Sequence, residues 1–132
     1  MAEIFQVEII TPDRVFYSGS ANMLEFNTES GEIGVYARHI PVTTVLRPGI
    51  VTIHEEGGEK KAAVHGGFAE ILGDRVTLLA EQAEWPDEID KERAEQAKER
   101  AEKRLKGKEE NLDVLRAELS LKRALTRIEL LK

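Results

Sequence analysis

Residues 84–94 read EWPDEIDKERA. Upstream of this stretch, glycines punctuate short apolar runs. Downstream, glycine occurs once, at Gly107, and charged residues dominate. Trp85-Pro86 closes one kind of structure and Asp87, a good N-cap, opens another. Glu88 and Asp90 add negative charge in the first helical turn, where the helix dipole favours it. The stretch therefore divides the chain into residues 1–84 and residues 85–132.

Working upstream, Phe5, Val7 and Ile9 alternate with Gln6 and Glu8, the pattern of a half-buried strand. Thr11-Pro12-Asp13 is a turn. Further short strands are expected at 15–17, 23–26, 33–36, 42–46, 50–54, 62–65, 68–72 and 75–79. Glu56-Gly57-Gly58-Glu59 and Gly73-Asp74 read as hairpin tips, with glycine supplying the positive φ such turns need. Nine short strands with no helical period predict a sandwich or flattened barrel. Gly31-x-x-Gly34 and His65-Gly66-Gly67 lack the Lys-Ser/Thr ending and following helix of a phosphate loop, so they read as turn and packing glycines. His39, His54 and His65 share no spacing that sets two on one face of one element. No metal site and no Ser-His-Asp arrangement is expected from these spacings.

The composition narrows the classes. The 132 residues suit one or two small domains, and 41% hydrophobic content suffices for one substantial core. Cysteine is absent, which removes disulfides, thiolate metal sites and a cysteine nucleophile. A net charge of −6 and an aromatic content of 5% argue against nucleic-acid binding. No apolar run approaches the roughly 20 residues of a spanning helix. The start, MAEIFQVEII, lacks the basic region and cleavage site of a signal peptide.

Downstream, a first helix is expected to about Leu105, with Gly107 as its stop behind Lys103, Arg104 and Lys106. Asn111 is the expected cap of a second helix running nearly to Lys132. Two helices with a short loop make an antiparallel hairpin. The second repeats the first at an offset of about 23 positions: Asp90, Arg93-Ala94, Arg100-Ala101 and Arg104-Leu105 recur as Asp113, Arg116-Ala117, Arg123-Ala124 and Arg127-Ile128. On each helix the arginines occupy one stripe roughly 40° wide. Beside them run Ala94, Ala97, Ala101 and Leu105 on helix one, and Ala117, Leu121, Ala124 and Ile128 on helix two. Closing the hairpin sets the arginine stripes along the seam. Asp90/Arg93 and Asp113/Arg116 read as i,i+3 ion pairs, whereas Arg100/Arg104 and Arg123/Arg127 are like charges at i,i+4. That repeated cost points to an anion answering them: a phosphorylated ligand or an acidic partner surface. Helix two also carries two apolar faces. Val114, Leu121, Leu125 and Ile128 are expected toward helix one, and Leu112, Leu115, Leu119 and Leu130 toward the sandwich or another protein. Two packings for one hairpin would make it a switch.

The stretches SGEIGVYARHIPVTTVLRPG, GGFAEILGDRVTLLAEQAE and IDKERA resemble the signatures of the epsilon subunit of bacterial F-type ATP synthase, and the likeness covers essentially the whole chain. The resemblance implies an α+β fold, a ten-stranded β-sandwich followed by a two-helix antiparallel hairpin. It implies a non-catalytic central-stalk subunit that couples proton flow to ATP synthesis and restrains hydrolysis. The sandwich, 1–84, would meet the gamma subunit and the c-ring. The hairpin, 85–132, would fold against the sandwich or extend toward the catalytic beta subunit. Carried over by position, an ATP site with no metal falls on Glu84, Ile89, Asp90, Arg93, Ala94, Arg100, Arg123 and Arg127. Arginines would take the triphosphate, and Asp90 and the backbone near Glu84 the adenine and ribose. Glu32 and His39 match positions facing the c-ring. Arg116, Lys122 and Arg123 match a basic face toward the beta subunit. The implied location is peripheral, on the cytoplasmic face of the bacterial cell membrane. A free-standing ATP-sensing switch is the competing reading. A small sandwich enzyme with a helical arm is the weakest, because no acid, base and nucleophile stand together.

Overall fold

The computed structural model describes residues 3–107 and 113–132. Eight strands come first: β1 (Phe5–Thr11), β2 (Arg14–Ala21), β3 (Met23–Thr28), β4 (Gly31–Val35), β5 (Val42–Leu46), β6 (Gly49–Glu55), β7 (Gly58–Ile71) and β8 (Arg75–Glu84). A single 3-10 turn, Pro86–Glu88, leads into α1 (Lys91–Lys106), and α2 (Val114–Leu130) follows.

Alternation builds the sandwich. Successive side chains of a strand point to opposite faces, so Phe5, Val7 and Ile9 on β1, Leu24 and Phe26 on β3, and Val76 and Leu78 on β8 all turn inward into one buried cluster. Burying a side chain of this size stabilises by about 1.5–3 kcal/mol relative to exposure. The strand order is β2-β1-β8-β7-β5-β3-β4, with β6 pairing β7 and β3. All pairings are antiparallel except β1 with β8.

The described residues hold eight strands, not the ten that the resemblance implies or the nine expected from spacing. The stretches 62–65 and 68–72 are parts of one strand, the 14-residue β7. Gly66 and Gly67, at φ 72° and 115°, carry the chain through without ending it. One edge of β7 takes β6 along Gly58–Val64 and β5 along Gly67–Ile71, while the other edge takes β8. A Cβ on Gly67 would lie 2.0 Å from the Leu79 carbonyl oxygen, so this glycine is a close-packing residue.

The junction is fixed to the sandwich. Trp85 stacks on Phe16 at 4.3 Å between ring centroids and meets Tyr17 edge-on at 6.3 Å. Arg14 Nη2 donates to both carboxylate oxygens of Glu88, at 2.9 and 2.8 Å, and Glu88 Oε1 accepts from the Trp85 N–H at 2.9 Å. Asp87 therefore lies in the 3-10 turn, and the N-cap of α1 is Asp90, whose Oδ1 accepts from Arg93 N at 3.1 Å. Asp113 caps α2 identically through Arg116 N, at 3.0 Å. Asn111, the expected cap, and Leu112 lie outside the described residues, and the helix begins beyond them, at Val114. The repeated Asp-x-x-Arg is thus first a pair of helix caps rather than a pair of side-chain ion pairs, because a carboxylate at the N-cap satisfies a backbone N–H that the helix leaves unbonded.

The helices meet through alanines. Among the described residues of the two helices, Ala94, Ala101, Ala117 and Ala124 are the buried ones. Leu125 and Val114, expected between the helices, are 42% and 50% exposed, and Leu115 is 76% exposed. Short side chains suit a close helix–helix contact, while Leu125 and Ile128 border a groove shared with the sandwich. The hairpin is folded down on the sandwich, with α2 lying over β7 and β6.

Candidate functional site

Two adjoining clefts open where the hairpin meets β8. One, of about 360 Å³, is lined by Glu84, Ile89, Asp90, Arg93, Ala94 and Arg100, together with Arg127 and Gln82. The other, of about 330 Å³, lies between the helices, with Arg100, Arg104, Arg123 and Arg127 around Ala97, Ala101 and Ser120. Arg100, Arg127, Gln82 and Ala97 belong to both. All eight residues assigned to ATP are therefore brought to one continuous depression. Arg93, Arg100 and Arg104 of α1 and Arg123 and Arg127 of α2 border it, whereas Arg116, the first of the second stripe, does not. Each volume lies in the size range of ligand pockets.

The local chemistry divides between the helices. On α2 the arginines already meet β8. Arg127 Nε donates to Glu84 Oε1 at 2.7 Å and its Nη2 to Gln82 Oε1 at 3.2 Å. Arg123 Nη2 reaches Glu81 Oε2 at 3.3 Å, while its buried Nε has no hydrogen-bond partner among the described residues. On α1, Arg93, Arg100 and Arg104 are exposed, and among the described residues none forms an ion pair. An anion entering the clefts thus finds exposed cations on one wall and half-buried ones on the other.

Glu84 is the pivot. It accepts from Arg127 and from His65 Nε2, the latter at 3.0 Å. Burial pushes the Glu84 carboxyl upward, but the hydrogen bonds from His65 and Arg127 outweigh it and hold the group below its ordinary range. For His65 burial dominates and lowers the imidazole, against the pull of Glu84 and with the help of the Arg127 and Arg123 charges. Both shifts follow from desolvation set against charged hydrogen bonds.

Asp90 serves α1 as its cap while lining the cleft. Trp85 and Pro86 turn away from the clefts and line a separate hollow with Lys60, Lys61 and Asp87. The residues assigned to partners are dispersed. Glu32 lies on β4 and borders a groove of about 790 Å³ shared with Ile50, Lys98, Leu125 and Ile128. His39 sits in the loop after β4, its Nδ1 2.7 Å from the Ile40 carbonyl oxygen. Exposed Tyr36 and Ile40 share that loop. Arg116 and Lys122 face solvent, but Arg123 does not accompany them. In the folded hairpin it is turned inward against Glu81, so the basic face expected toward a partner is split. Among the described residues no group of three or more His, Asp or Glu is placed to hold a metal.

Sequence reasoning missed His65, Gln82 and Glu81. The cross-strand register sets His65 beside Gln82, and the packing of α2 on β8 brings Arg123 to Glu81. In the sequence His65 enters only the phosphate-loop, metal and catalytic-triad readings, none of which its spacing supports. Arg14, which fixes Glu88 across 74 positions, carried no signal either.

Comparisons with known proteins agree along the chain. Residues 4–86 match the family model described as ATP synthase, Delta/Epsilon chain, beta-sandwich domain, and residues 87–132 match the long alpha-helix domain of the same chain. The ATP synthase epsilon chain of Halalkalibacterium halodurans is 48% identical over 124 residues, covering 93% of each chain. That of Brevibacillus brevis is 53% identical over 108 residues, covering 81% of this chain and 82% of its own. Among solved structures, a chain of the Euglena gracilis mitochondrial ATP synthase (OSCP/F1/c-ring) superposes with a TM-score of 0.82 at 25% identity, covering 95% of this chain and 79% of that one. A chain from the central stalk and c-ring of the Tetrahymena thermophila enzyme shares the fold, with a TM-score of 0.57 at 16% identity and coverage of 96% and 92%. With both of its domains matched and relatives of 43–53% identity along most of its length, the chain belongs to the ATP synthase delta/epsilon family.

Proposed function

We propose that this chain is the central-stalk subunit of a bacterial ATP synthase that couples proton flow to ATP synthesis, and that its hairpin restrains ATP hydrolysis and binds ATP when folded. Family membership makes it a non-catalytic component of the enzyme. No described helix is long and apolar enough to cross a membrane, in keeping with a peripheral subunit on the cytoplasmic face.

The observation that carries the ATP reading is the convergence of Glu84, Ile89, Asp90, Arg93, Ala94, Arg100, Arg123 and Arg127 on one pair of clefts at the joint. Guanidinium groups bind phosphate oxygens as planar forks and remain charged at all relevant pH values. Arg100, Arg123 and Arg127 would take the triphosphate, and their charges replace a metal as countercharge. Ile89 and Asp90 would meet the base and sugar. Because both helices and β8 contribute, the ligand stabilises the folded hairpin over the extended one, by its differential affinity for the two. Isolated protein is expected to bind ATP without added metal. Arg123→Ala weakens that binding by about 1.5–3 kcal/mol, the range for hydrogen bonds to a charged group. Titration calorimetry giving equal affinities for wild type and variant sinks the assignment.

The sandwich offers a surface for the stalk. Ile10, Leu79, Phe68 and Val45 are successive cross-strand neighbours on β1, β8, β7 and β5, an apolar row with Phe68 56% and Leu79 51% exposed. We assign this face to the gamma subunit, and the loop bearing His39, with Glu32, to the c-ring. Arg116 and Lys122 would meet the beta subunit once the hairpin extends. Copurification separates this from a free-standing switch: a chain that never associates with gamma or the c-ring rejects the motor reading.

A further inference from the structure

His65 lies on the wrong side of its strand for a core residue. Its neighbours Ala62 and Val64 belong to the buried cluster inside the sandwich. By strand alternation Ala63 and His65 point to the outer surface, yet both are fully buried. What covers them is α2, which lies over β7 and β6. The burial of His65 is therefore a property of the folded hairpin, and extension of the hairpin uncovers it.

The groups facing it form a chain of contacts. From β8, Glu84 Oε1 lies 3.0 Å from Nε2; from α2, Arg127 bonds the same carboxylate oxygen at 2.7 Å, and Arg123 adds a second positive charge. Glu81, also on β8, pairs with Arg123 at 3.3 Å. An ionised Glu84 only accepts, so Nε2 carries the hydrogen and Nδ1 holds the lone pair. Nδ1 is buried and has no hydrogen-bond partner among the described residues. A proton added there would become a buried donor with no acceptor, on a cation already beside two arginines.

We propose that His65 is a positioning residue of the hairpin's ligand site, through which proton binding opposes both the docked hairpin and the ligand held beneath it. Neutral, it orients Glu84, and Glu84 holds Arg127 at the shared wall of the two clefts. Charged, it favours the open hairpin, where water can reach Nδ1. The ligand half of this proposal rests on the ATP reading above, whereas the docking half stands without it. The direction agrees with the lowered imidazole: a histidine whose docked pKa is depressed leaves docking intact above the ordinary value and weakens it as pH falls below.

The test is calorimetric titration of the full chain with metal-free ATP from pH 7.5 to 5.5, for wild type, His65→Gln and His65→Leu. Glutamine keeps a donor for Glu84 and does not titrate; leucine removes the donor. Titration of ATP itself cancels in the comparison. If the bound state keeps the imidazole neutral, wild-type affinity falls relative to His65→Gln by up to about tenfold at pH 5.5, given an ordinary histidine pKa of about 6.5. His65→Gln is expected to restore most of what His65→Leu loses. Parallel pH profiles for wild type and His65→Gln overturn the proposal while leaving the ATP reading intact. Should no form bind ATP at any pH, that reading fails and small-angle scattering without ligand decides: opening on acidification in wild type alone supports the latch, and equal opening in both rejects it. Should the variants fail to fold, imidazole NMR of the wild type decides. His65 titrating below its ordinary value supports the proposal, and titration at or above that value overturns it.

Discussion

Glu84 and Gly67 show two ways in which one residue matters. Glu84 joins three segments, since His65 of β7 and Arg127 of α2 both bond its Oε1. Replacing Arg127 by alanine leaves that half-buried carboxylate short of its cation, and about 1.5–3 kcal/mol of stability is expected to be lost, read from urea unfolding. Because the folded pKa of Glu84 is depressed, its contribution is present above the ordinary carboxylate range and disappears as pH falls through the folded value. Stability of wild type is therefore expected to fall on the acid side of about 4.3, and more steeply than that of Glu84→Gln. Equal slopes would show that the ion pair contributes nothing to stability. Gly67 acts through space and backbone. At φ 115°, with the Leu79 carbonyl oxygen 2.0 Å from where a Cβ would sit, Gly67→Ala is expected to cost more than the roughly 1–3 kcal/mol of backbone strain alone. A thermal midpoint within a degree of wild type would count against that.

Among the elements, α1 and α2 depend on their caps and their alanines. Asp90→Ala and Asp113→Ala each remove a carboxylate that accepts from a backbone N–H, and each is expected to cost about 1 kcal/mol of helix stability by circular dichroism. Asp90→Ala also alters the cleft wall, so only this variant of the pair is expected to change ATP affinity. Ala101 and Ala124 are 2% and 1% exposed. Leucine at either position overpacks the seam, at about 1–3 kcal/mol. The helices are pushed apart and the clefts with them, so hydrogen exchange is expected to quicken across both helices while β1 and β8 are unaffected. The 3-10 turn is a different kind of element. Trp85, stacked on Phe16 just before the turn, and the Arg14–Glu88 pair anchor residues 85–88 to β2. In the extension proposed above, the hairpin would hinge at Ile89–Asp90, beyond the anchored turn.

For the molecule as a whole, the inward faces of the sandwich share one core to which neither helix contributes. Truncation after Glu84 is therefore expected to leave a folded sandwich and to abolish restraint of hydrolysis in the reassembled enzyme; restraint that survived would reject the role given to the hairpin. Phe68→Glu, on the exposed apolar row, is expected to leave the thermal midpoint nearly unchanged and to abolish capture of gamma.

The sequence by itself determined the parts. Alternation at Phe5, Val7 and Ile9 set the strands, and the shift at 84–94 set where they stop. The repeated Asp-x-x-Arg-Ala put caps, arginines and small residues at matching positions on two helices. These are local patterns with periods of two or 3.6 residues, and they are legible because each repeats within a short window. The tertiary structure alone decided what the parts face. Two predicted strands became one because Gly66 and Gly67 pass the chain between partners distant in sequence. Val114 and Leu125 are left partly exposed, and Leu125 borders the groove between α2 and the sandwich instead of the alanine seam. Arg123 turned toward Glu81, and His65, outward on its strand, was buried beneath α2. Such contacts span tens of residues and depend on register and on which surface covers which. Neither is written in any one segment, so the arginines that line the clefts were readable in advance and the histidine beneath α2 was not.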